Sequence, residues 1–491
     1  MTNRSHRAAL LAPLTLALAA CAPAAVTPAA QEPDRTTPPA LAETPALRLP
    51  ALQQFTLANG MRVLLMEKRD LPLVQVILNF DAGSIYDGTT PGLASLTAAM
   101  LDEGVAGKSA LQIADEFEML GARFGIGAGI HNATLTVRAP AARMAAALEL
   151  AAAVLLRPDF PPAELDRLRA ERLTALVRRY DDPGSIAGVL FDETLFGRDH
   201  PYGRSTAGTE ATVRSITVDD LRRFHRAHYH PNRTTAIVVG DIDGTGARRL
   251  LESSFSSWNS RAEPGATTVR VPQQVTGRVI YIVDKPGSAQ SVIRLGRIGV
   301  PRRTPDYFAL EVMNTILGGS FTSRLNQNLR EKHGYSYGAS SGFGYLPATG
   351  QWSAGAAVQT QSTGPALTEF INELRALREP IPAAEVARAR NFLAMRYPAG
   401  FQSVANIAGR LSELVQHDLP PDYFNTYVQN VLAVTKADVE RVARQYIDPE
   451  HVAIFVVGDR RVIEQQVRAQ SLGDIRFLEV TDVLGPMPVL R

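Results

Sequence analysis

A chain of 491 residues with 45% apolar and 20% charged residues is too long for one hydrophobic core and has the composition of a folded globular protein. Its formal net charge of +2 gives no electrostatic ground for binding nucleic acid or a strongly acidic substrate. No apolar run reaches the length that crosses a bilayer.

At the N-terminus, Arg4 and Arg7 precede an apolar run over residues 8–20, the charged and apolar regions of an export signal. The run ends in Leu18-Ala19-Ala20-Cys21, which resembles the bacterial lipoprotein cleavage box, where the cysteine thiol is lipidated and becomes the mature first residue. Cys21 is the only cysteine, so it cannot belong to an intramolecular disulfide. Ala22, rather than Asp, resembles the sorting signal for the outer membrane. The expectation is a signal peptide over 1–20, a lipid on Cys21, a flexible Ala/Pro/Thr tether over 21–48, and a body anchored in the periplasm.

The first folded unit is placed at 49–258. Asn59-Gly60 lies between apolar stretches at 55–57 and 63–65, which predicts a hairpin. Val74, Val76, Leu78 and Phe80 alternate with Gln75 and Asn79, the pattern of a strand with one buried face. Residues 81–104, DAGSIYDGTTPGLASLTAAMLDEG, give a polar turn and then a helix starting near 90–92. A helix over 110–120 stops at Gly121, a strand follows over 133–137, and Pro158 closes an Ala/Leu-rich helix over 144–156. The stretch PPAELDRLRAERLTALVRRYDDP predicts a long amphipathic helix with Leu165, Leu168, Leu173 and Leu176 as its stripe. A helix over 218–227 and a strand over 236–240 end the unit, and Pro264 and Gly265 mark a linker over 259–270.

The second unit, 271–491, repeats the first. Asp220, Arg223, Arg226, Pro231, Val238, Val239, Gly240 and Asp241 recur at one constant offset as Asp438, Arg441, Arg444, Pro449, Val456, Val457, Gly458 and Asp459. Further back, FPPAELDRLR at 160–169 is echoed by IPAAEVARAR at 381–390. Two echoes in the same order indicate duplication. Strands, helices and hairpin turns without strict βαβ alternation indicate an α+β class.

Residues 81–104 also carry a resemblance. Ala82, Gly83, Ser84, Gly92, Ala94 and Met100 fall where the pitrilysin/insulinase family of zinc peptidases has them, around an inverted H-x-x-E-H motif on a helix. In such a helix the two histidines share a face and hold one metal, and the glutamate can take a proton from metal-bound water. Here the motif positions hold Ser95, Ala98 and Ala99, a neutral hydroxyl and two methyl groups. The family's third ligand, the last Glu of E-R-x-x-x-L-x-E, corresponds to Arg178 in residues 171–178, a permanent cation without a lone pair. His225, His228 and His230 in FHRAHYHP could be a metal cluster, but the repeat has Ala443, Tyr446 and Asp448 there, which favours a helix end running into a proline turn. His200, in HPYGR, is assigned a structural role by the same resemblance. No nucleophile elbow or phosphate loop occurs.

The second unit keeps more of the family's chemistry. LGGSFTSRL at 317–325 and LREKHGYSYG at 329–338 resemble the motif in which an Arg and a Tyr seven residues apart bind substrate near the zinc; here these are Arg330 and Tyr337. A guanidinium and a phenol are donors that can hold a peptide carbonyl and its oxyanion. The alternative is a surface ion pair for Arg330 and a half-buried strand position for Tyr337. The resemblance implies two similar halves, each a mostly antiparallel sheet layered with helices, facing each other as a clamshell. It also implies a non-catalytic, substrate-binding subunit of a heterodimeric zinc endopeptidase acting on peptides in the bacterial periplasm. No cofactor is then expected in this chain, and zinc is expected in a partner subunit of the same family. The other reading is a catalytically inactive peptide-binding or scaffold protein, as the family's respiratory-chain core proteins exemplify.

Overall fold

The turn at Asn59-Gly60 sets the first hairpin. Gly60 takes φ of +93°, a conformation that a side chain disfavours, and the strands on either side pair antiparallel with Thr56 opposite Arg62. The protein is described here from a computed structural model, over residues 49–262 and 268–490. The expectations for residues 1–48, Cys21 among them, and part of the linker lie outside the described residues. Among the described residues no helix is long and apolar enough to cross a membrane.

The first half contributes strands β1 (Leu52–Thr56), β2 (Arg62–Glu67), β3 (Leu73–Phe80), β4 (Arg123–Ala128), β5 (Ala133–Pro140) and β6 (Thr234–Gly240), in the sheet order β1-β2-β6-β3-β5-β4. The second contributes β7 (Val279–Asp284), β8 (Gln290–Ile298), β9 (Ser336–Gly344), β10 (Gln351–Gln359), β11 (Ala453–Gly458) and β12 (Asp474–Glu479), in the order β9-β10-β8-β11-β7-β12. Five strands correspond one to one, and each sheet contains the equivalent parallel pair, β2/β6 in the first and β7/β11 in the second, with β6 and β11 antiparallel to β3 and β8 on their other side. The sixth strand differs: β1 comes from the start of the described chain and pairs antiparallel, whereas β12 comes from its end and pairs parallel.

The helices repeat as well. α1 (Leu93–Ala99), α2 (Pro162–Arg178), α3 (Pro183–Phe196) and α4 (Val218–His228) are followed in the second half by α5 (Tyr307–Leu317), α6 (Ala383–Arg396), α7 (Val404–His417) and α8 (Lys436–Tyr446). α4 and α8 even start alike: Thr217 and Thr435 each form a capping box, with Asp220 and Asp438. The α+β class and the two similar halves expected from sequence are what the structure has.

The halves are interlocked. Helix α3 of the first half packs on β8 and β11 of the second, and α7 of the second packs on β3 and β6 of the first. Ile407, Ala408, Leu411 and Leu414 share a core with Leu64, Ile77, Ile237 and Val239. Reciprocally, Ile186, Ala187, Leu190 and Phe191 share one with Val283, Phe455 and Val457. Phe191 lies over the backbone of Gly296, where an added Cβ would come within 2.2 Å of its ring. This exchange changes the reading of β3. Its alternation predicted one buried face, yet Gln75 and Asn79 are only 5% and 4% exposed, because α7 covers the face they were expected to present to water. Asn79 is satisfied there by Asn132, whose Nδ2 donates to its Oδ1 at 2.5 Å. The described residues of the two halves accordingly form one compact unit.

Candidate functional site

The helix that resembles a metal-binding helix is α1, a short element entered through Gly92 at φ +98°. The Asp87 carboxylate accepts from the Gly92 N–H at 2.8 Å and the Ala94 N–H at 2.7 Å, which fixes where the helix begins. Burial pushes the Asp87 carboxyl up to about 6, against the lowering effect of those two hydrogen bonds. Ser95 is fully engaged: its Oγ donates to the Thr206 carbonyl at 2.6 Å and accepts from Arg172 Nη1 at 2.8 Å. Arg172 also reaches the Gly92 carbonyl at 3.3 Å, and its burial, partly countered by Asp87, lowers its pKa.

Arg178 is exposed, and it is Arg172 that contacts Ser95. On an α-helix Arg178 stands about a third of a turn round from Arg172, whereas Arg179, seven residues on, nearly eclipses it. Arg179 is half-buried and donates to Ser205 Oγ at 3.1 Å. Arg172 is therefore the α2 guanidinium that reaches α1, and Arg179, just past the end of α2, follows it on the same side. The spacing of seven was visible in the sequence, but the resemblance pointed to another register. A zinc ion does not fit here. Ser95 Oγ is already held by a carbonyl and a guanidinium, Ala98 and Ala99 offer methyl groups, and the nearest cation is built into the protein. Among the described residues no group of three or more His, Cys, Asp or Glu side chains is arranged to hold a metal.

The histidines of FHRAHYHP are packing groups. His225 Nε2 bonds the Leu155 carbonyl at 2.9 Å, and His228 lies 4.4 Å from the Phe224 ring and 4.6 Å from Tyr86. Burial pushes both imidazoles down to about 4. His230 contacts Ser260 Oγ at 3.1 Å. His200 accepts from the Tyr202 N–H at Nδ1, so its Nε2 carries the proton and donates to the Arg270 carbonyl at 2.7 Å.

Arg330 and Tyr337 are brought together. Arg330 lies on a π-helical turn, Gln327–Lys332, a rare conformation that recurs at functional sites. Gly334, at φ +65°, reverses the chain into β9. There a register shift between Ser336 and Ala339 leaves Tyr337 outside the ladder. Ser336 Oγ closes this bulge, donating to the Gly338 carbonyl at 2.7 Å and accepting from its N–H at 3.0 Å. The Arg330 guanidinium carbon sits 5.2 Å from the Tyr337 ring centre and 4.4 Å from that of Phe321. Tyr337 is 89% exposed and Phe321 67%. Both exposed rings lie within cation–π reach of Arg330, which also forms the surface ion pair of the alternative reading, with Glu331 at 3.4 Å. Phe321 was not singled out from sequence, although it lies within the quoted LGGSFTSRL.

Comparison with known proteins gives the same family. The sequence model of the insulinase family (peptidase family M16) matches residues 62–192, and that of the peptidase M16 inactive domain matches residues 215–393. An uncharacterized zinc protease of Streptomyces coelicolor is 29% identical over 48% of this chain, which spans only about half (52%) of that relative's length. One of Mycobacterium tuberculosis is 27% identical over 85% of this chain and 96% of its own. Among solved structures, a peptidase M16 inactive domain from Pseudomonas fluorescens superposes with a TM-score of 0.78 at 30% identity, covering 83% of this chain and 97% of its own. A protease from Helicobacter pylori shares the fold, with a TM-score of 0.77 at 20% identity. Two adjoining family models and a solved relative of the same fold cover most of the described chain, and the chain belongs to the insulinase (M16) peptidase family.

Proposed function

We propose that the chain is the non-catalytic, substrate-binding subunit of a two-chain zinc endopeptidase, held at the outer membrane of a bacterium by a lipid on Cys21 and acting on peptides in the periplasm. The observation that carries this reading is the contrast between the two halves. The α1 positions that would bind metal hold Ser95, Ala98 and Ala99, while Arg330 and Tyr337 are presented together on an exposed surface. Zinc then belongs to the partner subunit, a protein of the same family with intact metal ligands. In the complex, the Tyr337 hydroxyl and the Arg330 guanidinium donate to the carbonyl oxygen of the peptide bond under attack, and the charge developing on that oxygen strengthens both bonds. Phe321 holds the guanidinium in place from its other side.

The test is purification of the lipidated protein from its native membranes with whatever zinc-bearing chain accompanies it. Tyr337→Phe removes one hydroxyl and keeps the ring, so turnover of the complex should fall about a hundredfold with assembly unchanged. Arg330→Ala should lower turnover and also weaken substrate binding. An active complex indifferent to both substitutions would overturn the assignment, and purification with no peptidase partner would favour a peptide-binding scaffold.

A further inference from the structure

Beside α1 lies a cavity of about 860 Å³, bounded by Pro91, Leu176, Arg179, Tyr180, Arg204 and, across from them, the chain segment that follows β12. That volume is in the range of small-ligand and short-peptide sites. Its far wall is anchored by Tyr180, whose hydroxyl lies within hydrogen-bond distance of three successive carbonyls, those of Leu484 (3.2 Å), Gly485 (2.9 Å) and Pro486 (2.8 Å). Arg198 holds the same segment by donating to the Asp482 carbonyl at 2.8 Å.

The charges on the wall are unevenly matched. Two of the lining carboxylates are committed: Glu193 pairs with Arg198 at 2.8 Å and Glu210 with Arg214 at 2.9 Å. A third, Asp199, lies exposed at the rim. Two of the lining guanidinium groups, in contrast, bond only neutral oxygens among the described residues. Arg179 donates to Ser205 Oγ at 3.1 Å, and Arg204 to the Gly88 carbonyl at 2.5 Å. A guanidinium has five N–H donors in a planar fork that matches a carboxylate. Arg179 is half-buried with no carboxylate in contact, so it bears a desolvation cost that the resting protein leaves uncompensated. An anion entering the cavity would supply the missing partner.

We propose that this cavity is a binding site for a peptide carboxylate, with Arg179 as its anchor and Arg204 as the second guanidinium. Leu176, Val189, Leu484 and Pro486 offer apolar surface for the side chain next to that carboxylate. The carboxylate is either a C-terminus or an acidic side chain. This site stands apart from Arg330 and Tyr337, and it does not depend on a zinc-bearing partner, so the full chain suffices to test it.

The experiment is fluorescence anisotropy with an N-terminally labelled Ala-Ala-Phe-Ala tetrapeptide in three forms: free carboxylate, C-terminal amide, and an amide with Glu in place of the third residue. The free acid, the Glu amide or both should bind at least tenfold more tightly than the plain amide, and which one does identifies the source of the carboxylate. The preference should weaken as salt rises. Arg179→Met should abolish it while the melting temperature holds or rises, because an uncompensated cation has been replaced by an apolar chain of similar length. Arg179→Lys, with charge but no fork, should retain part of the preference. If Arg179→Met does not fold, Arg204→Met reads the same loss. Equal affinity for all three peptides, no binding of any, or full binding by the folded arginine variants would overturn the proposal.

Discussion

Asp87 shows how one buried carboxylate can fix where a helix begins. It accepts from the Gly92 and Ala94 N–H groups at the entry to α1. Burial sets its pKa at about 6, against an ordinary 3.8. A carboxyl with a raised folded pKa keeps its proton longer in the folded than in the unfolded state, so its contribution to stability falls as pH rises from about 4 to about 6. For this group, only 5% exposed, the difference amounts to ~3 kcal/mol. Asp102 and Asp192 are raised to about 6 by burial as well. His225, His228 and His417, pushed down to about 4, act oppositely: the unfolded chain binds their protons first, and stability falls as pH drops from about 6.5 to 4. The two sets offset each other over the same window. Asp87→Asn removes one member of the first set and should make stability fall more steeply between pH 6 and pH 4. Urea melts at half-unit pH steps measure this, and an unchanged profile would show that Asp87 titrates normally.

Among the elements, α3 and α7 decide how the halves combine. Phe191 of α3 is fully buried, packs edge-on against Phe455 at 5.6 Å, and has the Arg294 guanidinium 4.0 Å above its ring. Phe191→Ala should cost about 3–5 kcal/mol, and Gly296→Ala, which forces a methyl into that ring, about 1–3 kcal/mol. Denaturant midpoints read both; a loss below ~0.5 kcal/mol in each would mean that α3 is only lightly seated. This contact was not legible in the sequence, where hydrophobic spacing shows that a helix has a buried face but not which sheet will cover it. What local signals control was legible. Asn59-Gly60 marks a turn whatever surrounds it, and the helix Met144–Leu156 has the bounds read from its Ala/Leu run and Pro158. The duplication was legible because side-chain identities survive at α4 and α8. The burial of Gln75 and Asn79 was not, because a polar residue under a helix from the other half looks like one facing water. At the candidate site, the motif spacing of Arg330 and Tyr337 was legible and the structure brings the two side chains together, whereas the contact of Arg172 with Ser95 was not, because only the fold shows which face of α2 meets α1.

At the scale of the whole molecule, the exchange of α3 and α7 joins the two halves through two shared cores. Without α7 the first half would expose Leu64, Ile77, Ile237 and Val239; without α3 the second would expose Val283, Phe455 and Val457. Neither sheet has a dry second face of its own, so each half alone would present a broad apolar surface to water. The connection between halves is then dispensable once the protein has folded, because cohesion runs through the helices and not through the linker. A protease site inserted between residues 262 and 268 makes this measurable. After cutting, the two fragments should elute together from size exclusion at the mass of the intact chain and melt in one cooperative transition. The second-half fragment produced by itself should aggregate or bind a hydrophobic dye, since its strands β8 and β11 lack their cover. Co-production of the two fragments should restore a soluble complex, and Phe191→Ala in the first should weaken that complex. Two fragments that separate after cutting, each folded and dye-free, would show that the halves are independent domains and that the helix exchange contributes little to holding them together.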